Sequence, residues 1–279
     1  MAKNTKKIKP TTLKRIKPSY AIEKSFYKSL KKLSESINDS VIWWSMARYN
    51  KTFNKNVSKQ LTFEFNKLLD KWQVKANEVA DKLAKRLSKN IEKYTNFNFT
   101  LQNEKFNLST RSQGVKNSLN AIYERNYNLI KSLPNEIIER YRQGFLDSVG
   151  SFDREAIYKQ AKIFKGISNR KAKLIARDQT QKAVVGYTQA RAEQLGFEYY
   201  EWVTAGDSRV SNEHKHLNGR IYRYDKPTAI IDSYGNIGHP SQRVNCRCVQ
   251  VSVIIEPNQE VKEIKDAKNG NYYQIVKKD

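Results

Sequence analysis

Apolar residues recur at steps of three and four through much of the first half of the chain, a pattern that predicts amphipathic helices. One stripe lies in residues 21–49 and consists of Phe26, Leu30, Leu33, Ile37, Val41 and Trp44. A second lies in residues 72–94 and consists of Trp72, Ala76, Val79, Leu83, Leu87, Ile91 and Tyr94. Residues 95–114 are rich in Asn, Thr, Ser and Gln, so we expect a loop between helices there.

Gly150, Ser151 and Asp153 interrupt the helical pattern again, and we expect a domain boundary at this point. Beyond it the sequence predicts a short helix over residues 153–164. A longer helix follows over residues 168–195, with Ser168 as its N-cap and Gly196 as its terminating residue. This helix carries a face of small residues suited to close packing on a sheet, namely Ala172, Ile175, Ala176, Ala183, Tyr187 and Ala190.

Strand-forming composition replaces the helical periodicity after Gly196. Aromatic and β-branched residues predict strands over residues 197–203, 221–224 and 249–255, and Asn269-Gly270 predicts a hairpin turn before residues 272–276. The expected fold is α+β: a basic helical N-terminal half, then a small C-terminal domain with a long helix packed on a short antiparallel sheet. The expected divisions are a flexible basic arm at 1–20, a helical region at 21–150, the C-terminal domain at 151–255 and a tail at 256–279.

Positive charge is concentrated in the first half of the chain. The formal net charge is +24, and residues 1–150 carry 30 Lys or Arg against 13 Asp or Glu. A polyanion partner is expected, nucleic acid first and a membrane surface second, although a solvated basic surface is the alternative. No apolar run is long enough to span a membrane. The candidate DNA-binding residues lie in the arm and are Lys3, Lys6, Lys7, Lys9, Lys14, Arg15 and Lys17.

The three histidines and both cysteines fall between residues 196 and 253, which makes this stretch the candidate metal site. Cys246 and Cys248 are two positions apart, so an extended segment would point both sulfurs the same way. Adding His214 and either His239 or Asp207 gives the four ligands that Zn²⁺ prefers. The alternative is that the cysteines are small buried hydrophobes and the histidines hydrogen-bond within the loops.

Motifs of common enzyme classes are absent from the sequence. It contains no GxxxxGK[ST] phosphate loop, no GxSxG nucleophile elbow and no HExxH zinc motif. A nucleophilic pair of a cysteine with His214 or His239 is conceivable on composition, but the sequence shows no activating environment for it. We therefore predict no catalytic residues and a protein that is not an enzyme.

Several short motifs follow one another in residues 167–255. In chain order they are Ala176-Arg177-Asp178-Gln179-Thr180, Trp202, Asp207-Ser208-Arg209-Val210, His214, Leu217-Asn218-Gly219, Pro240 and Asn245-Cys246-Arg247-Cys248. Their order resembles the head-morphogenesis domain of tailed bacteriophages, the family named after the F protein of phage Mu. Many members carry Cys-x-x-Cys where this chain has Ser211 and His214. The charged members Arg177, Asp178, Asp207 and Arg209 offer Arg–Asp pairs for tying the long helix to the loop after the first strand.

The resemblance implies a minor capsid or head-morphogenesis protein of a tailed phage or prophage. Such a protein is expected inside the procapsid near the portal protein, with capsid or scaffold proteins and packaged double-stranded DNA as partners. DNA binding would be independent of sequence, and the location would be the virion, after assembly in the host cytoplasm. Two alternatives stay open. One is a metal-dependent hydrolase or nuclease, a toxin-like relative acting on nucleic acid or cell wall; the other is a chromosomal DNA-binding protein unrelated to phage.

Overall fold

A computed structural model describes residues 8–47, 55–147 and 154–278. The helices in these ranges are α1 Tyr20–Ala47, α2 Lys55–Thr100, α3 Gln113–Lys131, α4 Leu133–Asp147, α5 Arg154–Gln194 and α6 Asn212–Leu217. The strands are β1 Thr11–Thr12, β2 Tyr199–Val203, β3 Ile221–Arg223, β4 Val249–Ile254, β5 Gln259–Ile264 and β6 Tyr272–Lys277. The predicted α+β class is confirmed. The domain boundary expected at Gly150 lies outside the described residues and stays a prediction.

The chain divides into two compact units. One comprises Met1–Ser19, Asn90–Asn120 and Thr180–Asp279, and its described residues include the whole sheet. The other comprises Tyr20–Lys89 and Ala121–Gln179, and its described elements are helices. No helix in the described ranges is both long enough and apolar enough to cross a membrane.

The sheet has the strand order β1-β4-β2-β3-β6-β5, and every neighbouring pair is antiparallel. Val185 of α5 packs against Val249 and Val251 of β4 and against Val203 of β2. The predicted long helix on an antiparallel sheet is therefore confirmed. Gly196 ends the helix as predicted: it has φ +85°, and the Phe197 N–H reaches back to the Ala192 carbonyl at 3.0 Å.

Residues 8–19 belong to the segment that we expected to be a flexible basic arm, and the structure gives them specific contacts. β1 pairs with β4, and the Leu13 N–H donates to the Ser252 carbonyl at 2.9 Å. Ile16 is buried. The Arg15 guanidinium donates to the Thr204 carbonyl at 3.1 Å, and burial lowers its pKa. These contacts attach the second part of the arm to the sheet; Lys3, Lys6 and Lys7 lie outside the described residues.

The helical unit buries the stripe predicted for α1. Leu30, Ile37 and Val41 have no exposed surface, and the Tyr141 hydroxyl of α4 donates to the Asn38 side-chain oxygen at 3.0 Å. In α2 the same unit buries a row at steps of three and four, namely Trp72, Ala76, Ala80, Ala84 and Leu87. The row differs from the predicted stripe because Ala80 and Ala84 take the buried positions expected for Val79 and Leu83.

Two predicted helix ends differ from the structure. α2 runs through Thr100 rather than stopping at residue 94, because Thr95 and Phe99 extend its buried row and outweigh the weak helix propensity of the asparagines between them. α5 is one helix of 41 residues rather than two helices. Ser168 does not cap a helix there, because its hydroxyl donates to the Phe164 carbonyl one turn back, at 3.0 Å.

Candidate metal centre

The side chains of His214, Cys246 and Cys248 come together in the sheet unit, from helix α6 and from the loop before β4. The Ser211 side chain caps α6 by accepting from the His214 backbone N–H at 3.5 Å. The short helix turns His214 and Leu217 into the interior, where the imidazole lies against the ring of Trp202 in β2. Cys248 immediately precedes β4, so sheet pairing fixes the position of its backbone.

Both nitrogen–sulfur distances in the cluster fit one tetrahedral ion. Nδ1 of His214 lies 3.5 Å from Sγ of Cys246 and 3.5 Å from Sγ of Cys248. A zinc ion with bonds of about 2.3 Å to sulfur and about 2.05 Å to nitrogen requires a nitrogen–sulfur separation of about 3.6 Å at the tetrahedral angle. All three ligand atoms lie within 4.8 Å of one another. The cluster could therefore hold a metal ion.

The hydrogen bond of the other imidazole nitrogen selects the tautomer that a metal needs. Nε2 of His214 lies 3.0 Å from the Ile231 carbonyl oxygen. A carbonyl only accepts, so Nε2 carries the proton in this contact. In the neutral ring Nδ1 then has a free lone pair that faces both sulfurs. A backbone carbonyl in this position is a common partner of metal-binding histidines.

The two thiols differ in their electrostatic surroundings. The hydrogen bond from Cys248, with a smaller contribution from His214, lowers the pKa of the Cys246 thiol. The Ser241 backbone N–H also donates to this sulfur, at 3.4 Å. The same cysteine pair raises the pKa of Cys248, and burial adds to the rise. Cys246 is therefore the first thiol to ionise, and Cys248 would ionise when an ion replaces the shared proton.

Asp207 fixes the residue between the two cysteines rather than joining the cluster. Both of its carboxylate oxygens accept from the Arg247 guanidinium, at 2.7 and 2.5 Å, and Arg209 donates to it at 3.0 Å. The hydrogen bond from Arg247 is the main reason that the pKa of Asp207 lies well below its usual range. Holding Arg247 on one side of the chain leaves Cys246 and Cys248 on the other side, toward His214.

His239, the other candidate for a fourth ligand, lies in a separate buried cluster. Its Nδ1 is 3.0 Å from the Tyr200 hydroxyl, and its ring lies next to the ring of Tyr200. Burial lowers the pKa of His239 to about 4. In this position His239 stabilises the interior next to the sheet. The described residues thus bring together three of the five candidate ligands.

A cavity of about 160 Å³ opens beside the cluster. All three ligand residues line it, so a fourth coordination position would face this space. The other lining residues include Arg209, Arg243 and Arg247, and none of the residues that line it is a carboxylate. The lining therefore contains no acidic side chain to act as a base.

The region that contains this centre matches a known family. Residues 136–251 match the family described as "Phage Mu protein F like protein". This part of the chain is Mu F-like. An uncharacterized protein of Haemophilus influenzae (strain ATCC 51907 / DSM 11121 / KW20 / Rd) is 32% identical over 153 residues, which are 54% of this chain and 33% of that protein. The chain thus spans about a third of the length of this relative. No solved structure matches the chain.

The Leu-Asn-Gly motif of the Mu F-like region closes the end of β2. Leu217 is fully buried, and the Asn218 side-chain oxygen accepts from the Thr204 backbone N–H at 2.9 Å. Gly219 has φ +75°, and its N–H donates to the Trp202 carbonyl at 2.8 Å. The glycine is needed because this backbone conformation is costly for other residues. The motif therefore positions α6, and through it His214.

The remaining motif residues have varied surroundings. Trp202 and Thr180 are fully buried, and Arg177 is exposed. Asp178 is buried beside Gln179, whose amide donates to its carboxylate at 3.1 Å. Asn245 adopts φ +63° at the turn before Cys246. For Asp207 and Arg209, the partners in the structure are each other and Arg247.

Sequence reasoning missed the groups that orient the ligands. The Ile231 carbonyl is a backbone atom without a sequence signature. Ser241 donates its hydroxyl to the Cys248 carbonyl at 2.7 Å and accepts from Gln181 of α5 at 2.6 Å. The Pro240 that precedes it was a motif residue, but no pattern pointed to the serine. These contacts depend on loop conformation, which residue type alone does not predict.

Proposed function

We propose that the protein is a minor capsid or head-morphogenesis protein of a tailed phage or prophage. The observation that carries this proposal is the family match over residues 136–251. In this role it is a structural component rather than an enzyme. It resides inside the capsid of the virion, next to the portal protein and to capsid or scaffold proteins, after assembly in the host cytoplasm.

Association with procapsids tests this role. A tagged chain is expressed during phage assembly, procapsids are purified, and the chain is measured together with portal protein and DNA. Co-purification at a fixed ratio to portal protein is the expected result. A chain that is absent from procapsids and virions, although it is produced and folded, would overturn the proposal.

We also propose that the protein binds packaged double-stranded DNA without sequence preference, partly through its basic N-terminal arm. Lys9, Lys14 and Lys17 are exposed, and the formal charge of the chain is +24. Electrostatic binding should weaken steeply between about 50 and 200 mM salt. Deleting residues 1–20 would also remove β1 and buried Ile16, so the better test changes the three exposed lysines to Gln. Binding that does not respond to salt would contradict this part of the proposal.

Zn²⁺ is the ion that we propose for the cluster of His214, Cys246 and Cys248. Two thiolates and an imidazole are typical zinc ligands, and the nitrogen–sulfur distances of 3.5 Å fit its bond lengths. Elemental analysis should find about one zinc per chain, and a chelator should lower the melting temperature. His214→Asn should lose the metal, whereas His216→Asn, on the exposed side of the same helix, should keep it. Wild-type protein that contains no metal would contradict the zinc site, and the cysteines would then be core residues.

A metal-dependent hydrolase or nuclease is the second candidate, because three protein ligands beside a cavity resemble the open zinc sites of enzymes. The absence of a carboxylate among the cavity-lining residues weighs against it, since metal-assisted hydrolysis normally uses a general base. Incubation of the zinc-loaded protein with duplex DNA, single-stranded DNA and peptidoglycan distinguishes the candidates. Cleavage that His214→Asn abolishes would favour the enzyme.

A further inference from the structure

Helix α2 presents an exposed row of cations along one face. From Lys67 to Lys89 the exposed residues number ten: seven are Lys or Arg, two are acidic (Asp70 and Glu78), and one is apolar (Val74). The cations follow one another at helical spacing and are Lys67, Lys71, Lys75, Lys82, Lys85, Arg86 and Lys89. Because these steps are mostly three, four or seven residues, the side chains share one side of the helix. We call this set the basic stripe.

The stripe is long enough to follow a rigid polymer. The interval from Lys67 to Lys89 corresponds to a length of about 33 Å at 1.5 Å per residue. The opposite side of the same helix is anchored in the core by Trp72, Ala76, Ala80, Ala84 and Leu87. The spacing of the cations is therefore set by one packed helix and requires no rearrangement before binding.

Most of this charge has no acidic partner. Lys85 pairs with Asp81 at 2.9 Å, and among the described residues no ion pair involves the other six cations. Two of them lie over aromatic rings instead: the Lys67 ammonium is 4.5 Å from the centre of the Phe63 ring, and that of Lys75 is 4.9 Å from the Trp72 ring. These contacts orient the side chains without neutralising them.

We propose that the basic stripe of α2 is a binding surface for the phosphate backbone of double-stranded DNA. The inference rests on the DNA association proposed above and identifies a surface for it outside the N-terminal arm. A length of about 33 Å is close to one helical repeat of DNA, about 34 Å, so the stripe reaches phosphates on both sides of a groove. An acidic protein partner fits less well, because protein interfaces have an apolar centre and Val74 is the sole exposed apolar residue from Lys67 to Lys89.

The test compares two triple variants of the full-length chain. Lys71, Lys82 and Lys89 are changed to Gln in the stripe variant; glutamine has a helix propensity close to that of lysine. The matched control changes three exposed lysines of the sheet unit, Lys226, Lys265 and Lys268, to Gln. Both variants lose the same charge, and circular dichroism verifies that each is folded. Binding to a duplex of random sequence is measured from about 50 to 300 mM salt, with polyglutamate as a second probe.

The stripe variant should lose on the order of 100-fold in DNA affinity at about 100 mM salt, and its salt slope should fall by about 2 to 3. The control should change by less than about threefold. If the two variants lose DNA affinity equally while the wild type still binds DNA, the stripe is not the DNA-binding surface, and the proposed DNA association stays intact. A wild type that binds no DNA would overturn both, and binding of polyglutamate alone through the stripe would assign this surface to an acidic protein.

Discussion

His239 makes the stability of the sheet unit depend on pH. The ring is 9% exposed, and its Nδ1 lies 3.0 Å from the Tyr200 hydroxyl. Burial raises the pKa of Tyr200 well above its usual value, so this hydroxyl stays protonated and can donate. Protonation of the buried imidazole would place a charge among buried aromatic side chains.

The size and sign of the change in the free energy of unfolding follow from the pKa of His239. Folding lowers it from 6.5 to about 4. Above pH 6.5 both states are neutral and stability is unaffected by this residue. As the pH falls below 6.5, His239 binds a proton in the unfolded chain but not in the folded chain, so the free energy of unfolding decreases. The loss is about 2 kcal/mol by pH 5 and approaches about 3 kcal/mol at pH 4.

Hydrogen exchange at the amides of β2 and β4 measures this effect within the sheet unit. Between pH 7.5 and 5 the wild-type protection factors should fall about 30-fold more than those of His239→Gln, whose amide can still bond Tyr200. His216→Gln is the matched control, since His216 is exposed, and it should behave as wild type. If the protection factors of His239→Gln fall as much as those of the wild type, His239 is not the source of the pH dependence. Comparing variants removes the contribution of carboxylates, which titrate equally in all three proteins.

Two further predictions concern the loops. Asp207→Asn should lower metal affinity about 10- to 100-fold in a chelator competition, because Arg247 loses its carboxylate partner. The control Arg209→Gln should change the metal affinity little. Equal metal affinities of Asp207→Asn and wild type would contradict the role given to Asp207. Gly270→Ala should lower the melting temperature far more than Gly235→Ala. Both glycines have positive φ, but a Cβ at Gly270 would collide with the Thr228 carbonyl whereas Gly235 faces open space, where the cost is about 1 kcal/mol. Similar decreases in melting temperature for the two variants would show that the hairpin shifts to relieve the clash.

Periodicity and motif order were enough to predict much of the fold and part of the site. The steps of three and four in α1, the strands β2, β3 and β4, and the glycine that ends α5 are local features, and local features are encoded in neighbouring residues. The two-residue spacing of Cys246 and Cys248 likewise indicated ligands that point the same way. β1 and β5 were not predicted: β1 is only two residues long, and its residues are ordered by pairing with β4.

The sequence by itself determined the α+β class, the Mu F-like motifs of the C-terminal part and the concentration of charge in the first half. Only the tertiary structure decided that His214 faces both cysteines while His239 faces Tyr200, and that Asp207 holds Arg247. It also decided that α2 continues through Thr100 and that Ser168 lies within a helix. The physical reason is the same in each case. Residue type sets which bonds a side chain can make, but its partner depends on groups distant in the chain, whose positions are fixed by packing and backbone pairing.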